Sequence, residues 1–108
     1  MKSTGDAIRT YRFGERLHFG NADRIRQELE PYISQETTRK LILDLEAVSE
    51  CDSSGLKLLL DAKRKCDARS IEILLLSPRP VLKDLLRLTR LDTIFTIIEN
   101  RSDVNKGE

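Results

Sequence analysis

Two short, almost wholly apolar segments, residues 40–46 and residues 71–76, constrain the fold of this chain most strongly. Strands that are apolar on both faces lie at the centre of an α/β sheet, where other elements bury both sides. The segment between them, residues 56–67, repeats apolar residues at helical spacing and has a stripe wide enough to lie on a sheet. Because a strand–helix–strand unit needs a crossover connection, the two strands are predicted to be parallel. The sequence therefore predicts an α/β fold.

The first third of the chain predicts two strands and a helix. Partial alternation in residues 7–13 indicates a first strand, and Gly14 begins a turn signal before a second short strand at residues 16–19. We expect these two strands to form a hairpin. Asn21 is predicted to cap the following helix, whose apolar positions continue through Pro31.

The last third predicts one more helix and one more strand. A helix opens after the prolines of residues 77–80, and a β-rich strand follows at residues 94–98. Residues 101–108 are polar and are predicted to be a frayed tail. The predicted order is β-β-α-β-α-β-α-β, in a mixed sheet of about five strands with helices packed on it. We expect one domain over residues 1–108, with its core at about residues 7–100.

Composition excludes several classes of partner. At 108 residues the chain has a net charge of only +1, which predicts no nucleic-acid binding. No apolar run approaches the roughly 20 residues that span a bilayer, and the N-terminus lacks an apolar export segment. We therefore expect no membrane contact and a cytoplasmic location. Cys51 and Cys66 are the only cysteines and are interpreted as reduced, half-buried packing residues.

Catalytic and metal-binding patterns are weak in this chain. His18 is the only histidine, and Cys51 stands where the nucleophile motif G-x-S-x-G needs its first glycine. Two cysteines fifteen positions apart and one histidine lack the paired spacing of a metal site. The glycine-rich phosphate-binding motifs are also absent. We predict no catalytic residue, no metal and no cofactor; a small hydrolase using Ser53 and His18 is an alternative that a measured turnover would support.

The junction between the central strand and the central helix carries the strongest functional signal. Its residues are Asp52, Ser53, Ser54 and Gly55, a combination typical of a helix start. A side chain of Asp52 or Ser53 can accept a hydrogen bond from a free N–H group of the first turn. The positive end of the helix dipole also favours an added negative charge there. Simple capping is one interpretation, and a modifiable hydroxyl is the other.

The same stretch resembles the signature of a known family. Residues 48–56, V-S-E-C-D-S-S-G-L, follow the strand L-I-L-D-L and look like the signature of STAS domains, with bacterial anti-sigma factor antagonists as the nearest members. Residues 16–22 and residues 76–95 are similar to the family's second strand with its helix start and to its closing strand–helix–strand. The resemblance covers nearly the whole chain, and its D-S-S-G-L core is the most specific part.

The resemblance implies a regulatory function without catalysis. Such proteins, when unphosphorylated, bind an anti-sigma factor that is also an ATP-dependent serine kinase, and this binding frees a sigma factor for transcription. The kinase phosphorylates the serine that maps onto Ser53, the phosphorylated form lets go, and a metal-dependent serine phosphatase restores it. The residues expected to contact the partner are Asp52, Ser53, Ser54, Gly55, Leu56 and Asn21.

Some features depart from the family pattern and leave alternatives open. His18 stands where members often carry an acidic residue and some transporter-linked members an aromatic one, so the subgroup stays unsettled. Residues 68–70 and 89–91 lack the glycines with which the family often ends these helices. A scaffold subunit of a larger signalling complex, never phosphorylated, is the main alternative function. A membrane-transporter tail is disfavoured because the sequence has no membrane segment.

Overall fold

The computed structural model describes residues 7–105 as an alternation of short strands and helices. The elements in chain order are β1 (Ile8–Arg12), β2 (Arg16–Leu17), α1 (Ala22–Ser34), β3 (Lys40–Asp44), β4 (Glu50–Cys51), α2 (Ser53–Ala68), β5 (Glu72–Leu76), α3 (Pro80–Leu88) and β6 (Thr96–Ile98). Two 3-10 turns, Leu91–Thr93 and Arg101–Asn105, flank β6. The expected order therefore holds, with β4 as an additional two-residue strand and with α1 continuing through Pro31.

Every strand pairing between residues 7 and 105 is parallel. The main sheet has four strands in the order β1-β3-β5-β6, and β2 pairs with β4 in a separate two-stranded sheet. The α/β fold class is confirmed. The predicted hairpin is wrong, and with it the antiparallel pair that would have made the sheet mixed. Phe13 N–H donates to Asp44 O at 3.0 Å, so the chain continues along β3 beyond β1 before it reaches β2.

The strand order never reverses, and this places all three helices on one face of the main sheet. Right-handed crossovers that step across a sheet in one direction leave their helices on the same side. The main apolar cluster accordingly joins the buried faces of α1, α2 and α3 to alternate residues of the strands, such as Leu41, Leu43, Ile73 and Leu75. All five residues of β3 are buried, as its apolar sequence predicted.

The other face of the sheet is covered in part by the C-terminal 3-10 turn. Val104 packs against Ile42, Leu74 and Leu76 in a second, smaller apolar cluster. The buried Lys40 donates from Nζ to Val104 O at 3.0 Å. The expectation of a frayed tail is therefore wrong for residues 101–105, because one apolar side chain and the backbone beside it bind to the sheet; residues 106–108 lie outside the described part.

A buried carboxylate fastens the same turn to the sheet. Asp44, at the end of β3, is 1 % exposed. Its Oδ2 accepts hydrogen bonds from Arg101 at 2.9 Å and from Arg12 at 3.3 Å, and its Oδ1 accepts one from Glu46 N–H at 3.1 Å. Because both arginines reach in from the surface, the carboxylate keeps its charge compensated while the strand end stays buried.

The ends of α2 and α3 close without glycine. Ser70 and Arg90 have φ values of 60° and 65°, the left-handed conformation that glycine adopts most easily. After α2, Ile71 N–H donates to Cys66 O at 2.8 Å and Ser70 N–H donates to Asp67 O at 3.2 Å. These two bonds form a complete Schellman motif, so the hydrogen bonds compensate for the residue type.

We predict that Asp44→Asn lowers the free energy of unfolding by about 1.5–3 kcal/mol, the usual contribution of hydrogen bonds to a charged group. The neutral amide removes the charge that both arginines bind, and it turns an N–H group toward them. Urea denaturation measures the loss. Asp84→Asn is the matched control, because the Asp84–Arg87 pair is largely exposed and contributes less than about 0.5 kcal/mol. Equal effects of the two substitutions would contradict the prediction.

Candidate functional site

The candidate site is the junction at which β4 ends and α2 begins. Asp52 is the N-cap residue, with extended backbone, and its Oδ1 accepts a hydrogen bond from Gly55 N–H at 3.0 Å. Ser53 is the first residue of α2, and its side chain is exposed. The helix therefore starts three residues before Leu56, where the apolar pattern begins. Of the two residues proposed as the cap, Asp52 performs it, and the Ser53 hydroxyl is left for other contacts.

The second oxygen of the Asp52 carboxylate binds a different loop. Oδ2 accepts a hydrogen bond from Phe19 N–H at 3.0 Å. The N–H groups of Phe19 and then Gly55 lower the pKa of Asp52 below its ordinary value, because they stabilise the charged form. One carboxylate thus joins the start of α2 to the segment between β2 and α1.

That segment is a tight turn at residues 18–21, which we name the Phe19 turn. Asn21 N–H donates to His18 O at 3.1 Å, and His18 N–H donates to Asn21 Oδ1 at 3.1 Å. Asn21 Nδ2 also donates to Arg16 O at 2.8 Å. Asn21 is at the N-cap position of α1, but its side chain makes no capping bond. The predicted cap is therefore wrong in its chemistry, because the amide closes the preceding turn instead.

Gly55 permits the close packing beneath the site. A Cβ at this position would lie 2.4 Å from Leu17 O and 2.9 Å from Cys51 Sγ, distances that real Cβ atoms essentially never show. Leu17 O also accepts a hydrogen bond from Asp52 N–H at 3.2 Å. The first turn of α2 therefore rests directly on the backbone of β2, and only glycine fits between them.

The six residues expected to contact a partner differ in how far they are exposed to solvent. Asp52 and Ser53 are exposed, and Gly55 is buried. The half-buried members of the set are Ser54, Leu56 and Asn21. Leu56 packs against the main apolar cluster. The structure brings the junction and the Phe19 turn together, and contact of these residues with a partner stays a prediction.

Sequence reasoning missed Phe19. Phe19 is 82 % exposed, and its backbone N–H group donates to the Asp52 carboxylate. A large aromatic residue between a histidine and a glycine gave the only available signal, and the alternation pattern assigned it to the end of a strand. The strand β2 ends at Leu17, which leaves Phe19 in the turn.

Cys51 beside the site and Cys66 near the far end of α2 are thiols poorly suited to catalysis. Burial, and to a smaller extent the charge of Asp52, raises the pKa of the Cys51 thiol to about 11. Burial likewise raises the pKa of Cys66 to about 11. Thiols with such values are protonated at neutral pH and are weak nucleophiles. His18 Nδ1 accepts a hydrogen bond from Gly20 N–H at 3.3 Å, so its ring is engaged within its own turn.

The charges around Ser53 are mostly committed to one another. Lys57, one helical turn further along α2, donates to Asp61 Oδ2 at 3.2 Å. Arg26 of α1 donates to the same oxygen at 3.2 Å. Asp52 precedes Ser53 and carries a full negative charge. Its carboxylate already accepts hydrogen bonds from the N–H groups of Phe19 and Gly55. Within residues 7–105, no cluster of three potential metal ligands occurs.

A comparison with protein-family models matches the STAS domain to residues 1–104. Among solved structures, a protein from Thermotoga maritima has a TM-score of 0.81 at 21 % identity, over 91 % of this chain and 86 % of that one. The Bacillus cell fate determinant SpoIIAA in its phosphorylated form has a TM-score of 0.73 at 20 % identity, over 99 % of this chain and 96 % of that one. At these identities the likeness establishes a shared fold.

The same fold occurs inside a much larger protein. The murine anion transporter Solute Carrier 26 family member A9 has a TM-score of 0.80 at 19 % identity, over 90 % of this chain and 17 % of the transporter. Between residues 7 and 105 of the present chain, each helix is too short or too polar to cross a bilayer.

We predict that Gly55→Ala lowers the free energy of unfolding by about 1–3 kcal/mol, the usual cost of overpacking. In an open helix the same change is stabilising by up to about 1 kcal/mol, so the sign of the effect tests the contact with Leu17 O. Thermal and urea denaturation measure it. Gly14→Ala is the matched control, because a Cβ there meets no atom within 4 Å. Stabilisation by Gly55→Ala would show that the helix start does not rest on β2.

We predict that the stability difference between the native chain and Asp52→Asn depends on pH. The folded-state pKa of Asp52 is lowered, so the unfolded chain binds the proton more readily and the carboxylate contributes its stability above the unfolded pKa of about 3.9. The difference is therefore full at neutral pH and shrinks as the pH falls below about 4. Urea unfolding at stepped pH measures it. Ser53→Ala removes no titratable group and is expected to follow the native pH profile; a pH-independent difference for Asp52→Asn would refute the assignment.

Proposed function

We propose that this chain, which belongs to the STAS domain family, is an anti-sigma factor antagonist regulated by phosphorylation of Ser53. Unphosphorylated, it binds an anti-sigma factor that is also a serine kinase, and so frees a sigma factor for transcription. Phosphorylation at Ser53 ends that binding, and a metal-dependent serine phosphatase reverses it. The chain acts as a binding module without catalysis, cofactor or metal, in the cytoplasm.

The accessibility of Ser53 is the observation that carries this proposal. Ser53 is exposed at the first position of α2, immediately after the capping Asp52. A kinase active site can therefore reach the hydroxyl without unfolding the helix. The cap is formed by Asp52 and Gly55, so a modified Ser53 does not remove the hydrogen bond that starts α2.

The fold tolerates a phosphate at this position. A phosphoserine carries about −1.5 to −2 charges at neutral pH. The positive end of the α2 dipole stabilises an anion in the first turn by about 0.3–1 kcal/mol. The Asp52 carboxylate opposes the new charge, but both groups face water rather than the core. Phosphorylation is therefore expected to leave the fold intact.

A bound partner experiences the phosphate differently. A protein surface packed over the start of α2 would have to remove water from a group of nearly two charges, which is costly without a compensating cation. Lys57, the basic residue one turn away, is already bound to Asp61. The added charge consequently weakens the interface more than it weakens the domain, which is the behaviour that a switch requires.

Likeness to SpoIIAA supports the same proposal. That protein has also been solved unphosphorylated, as an anti-sigma factor antagonist, with a TM-score of 0.68 at 22 % identity over 87 % of this chain and 81 % of that one. A protein of this fold thus exists in both phosphorylation states. The second candidate function is a scaffold subunit of a larger signalling complex that is never phosphorylated. The occurrence of the fold as 17 % of an anion transporter supports only the idea that such a domain can be one part of a larger assembly.

We predict that the cognate anti-sigma factor kinase, identified from the neighbouring genes, adds one phosphoryl group to the chain in the presence of ATP. Intact-mass spectrometry measures the addition. Ser53→Ala is expected to abolish it, whereas Ser54→Ala, at the adjacent half-buried hydroxyl, keeps it. Ser53→Asp is expected to weaken kinase binding by about tenfold or more, with an unchanged far-UV circular dichroism spectrum. Tight binding without any mass gain would favour the scaffold.

A further inference from the structure

We infer that Phe19 is the aromatic anchor by which the partner holds this chain, an inference that rests on the proposed function. It adds the Phe19 turn to the interface and assigns the partner an apolar pocket next to the cleft that receives Ser53. Three observations carry it: the exposure of Phe19, the hydrogen bonds that hold the turn, and the Asp52 carboxylate that connects the turn to the start of α2.

The Phe19 ring contributes little to the core. The residue is 82 % exposed, the highest value among the exposed large apolar residues of the described chain. A phenylalanine in water has an unfavourable hydration free energy that a polar residue would avoid. Aromatic side chains bury about 150–250 Å² each. Phenylalanine, like tyrosine and tryptophan, is enriched in protein interfaces relative to the rest of the surface. The residue type is therefore explained by a partner better than by the fold.

The turn that carries the ring is held in one conformation. Its four residues are linked by the bonds of Asn21 to His18 and Arg16, and by Gly20 N–H donating to His18 Nδ1. The His18 ring lies so close to Gly20 that an added Cβ would be 2.8 Å from its Cε1 atom. A rigid backbone places the ring in advance, so binding costs less conformational entropy than it would from a flexible loop.

The Asp52 carboxylate places the ring and the serine within one footprint. Its Oδ2 accepts from Phe19 N–H, and its Oδ1 accepts from Gly55 N–H, each at 3.0 Å. A standard interface covers about 800 Å² of each partner. An interface of that area, centred on Ser53, is wide enough to include a neighbouring loop that binds the same carboxylate. A protein that docks over Ser53 therefore also meets Phe19. The bond from Phe19 N–H leaves its side chain free to point outward.

The chemistry of the two contacts differs, and this separates their effects. Ser53 is the group that the kinase modifies, whereas the Phe19 ring has no group that takes part in phosphoryl transfer. Loss of the ring is therefore expected to weaken binding of the unphosphorylated chain and to raise the KM for phosphorylation. The rate at saturating chain concentration, kcat, is expected to stay the same, because Ser53 still enters the active site.

Phe19→Ala tests the inference, with binding to the cognate kinase measured by calorimetry and phosphorylation measured by steady-state kinetics. We expect Kd and KM to rise about thirtyfold, as for an interface hot spot, with kcat and the thermal midpoint unchanged. Phe19→Trp keeps a large ring and is expected to retain most of the affinity. Leu88→Ala is the matched control: Leu88 is 78 % exposed, stands at the last position of α3, and belongs neither to the Phe19 turn nor to the start of α2.

The outcomes distinguish this inference from the proposed function. If the native chain binds the kinase and Phe19→Ala binds equally well, the anchor is refuted and the proposed function stands. If the native chain neither binds nor is phosphorylated, the proposed function fails, and the anchor fails with it. An equal loss in Phe19→Ala and Leu88→Ala would indicate a general apolar effect and would also overturn the inference.

Discussion

The shared carboxylate of Asp52 is the interaction on which the candidate site depends. One oxygen starts α2 by accepting from Gly55, and the other holds the Phe19 turn by accepting from its backbone N–H. Gly55 in turn lets the helix start rest on Leu17 of β2. These contacts satisfy the local hydrogen bonds without using the Ser53 hydroxyl. The proposed phosphorylation of Ser53 would therefore leave the hydrogen bonds of the surrounding backbone in place. A site with a hydrogen-bonded backbone and an exposed hydroxyl is suited to regulation by modification.

The parallel sheet explains why such a junction exists at the surface. A parallel sheet whose strand order runs in one direction has its helices on one face. The carboxyl ends of its strands lie along one edge, so the strand-to-helix junctions meet at that edge. In the small β2–β4 pair, Leu17 of β2 lies against the start of α2, and the Phe19 turn that follows β2 reaches Asp52. On the opposite face, Lys40 binds Val104 and Asp44 binds Arg101, and these contacts hold residues 101–105 against that side of the sheet.

The proposed switch requires no rearrangement of the fold. Ser53 and Asp52 are exposed, and the basic residue on the next turn of α2 is paired with Asp61. A phosphate at this position therefore changes the electrostatics of the outer surface and little else. In this proposal, the aromatic ring of Phe19 favours association with the partner, and the phosphate on Ser53 ends that association.

The sequence by itself determined the α/β class, the buried central strands and the capped junction with Ser53, because each depends on residues that are neighbours along the chain. Periodicity in residues 41–45 and the N-cap chemistry of Asp52 are local signals. Only the tertiary structure decided that β1 pairs with β3, that β2 pairs with β4, and that residues 101–105 cover the sheet. These pairings join segments far apart in the chain, and their free energy comes from burial and hydrogen bonds that no local pattern contains. The exposure of Phe19 and the turn-closing bonds of Asn21 depend on the same distant contacts.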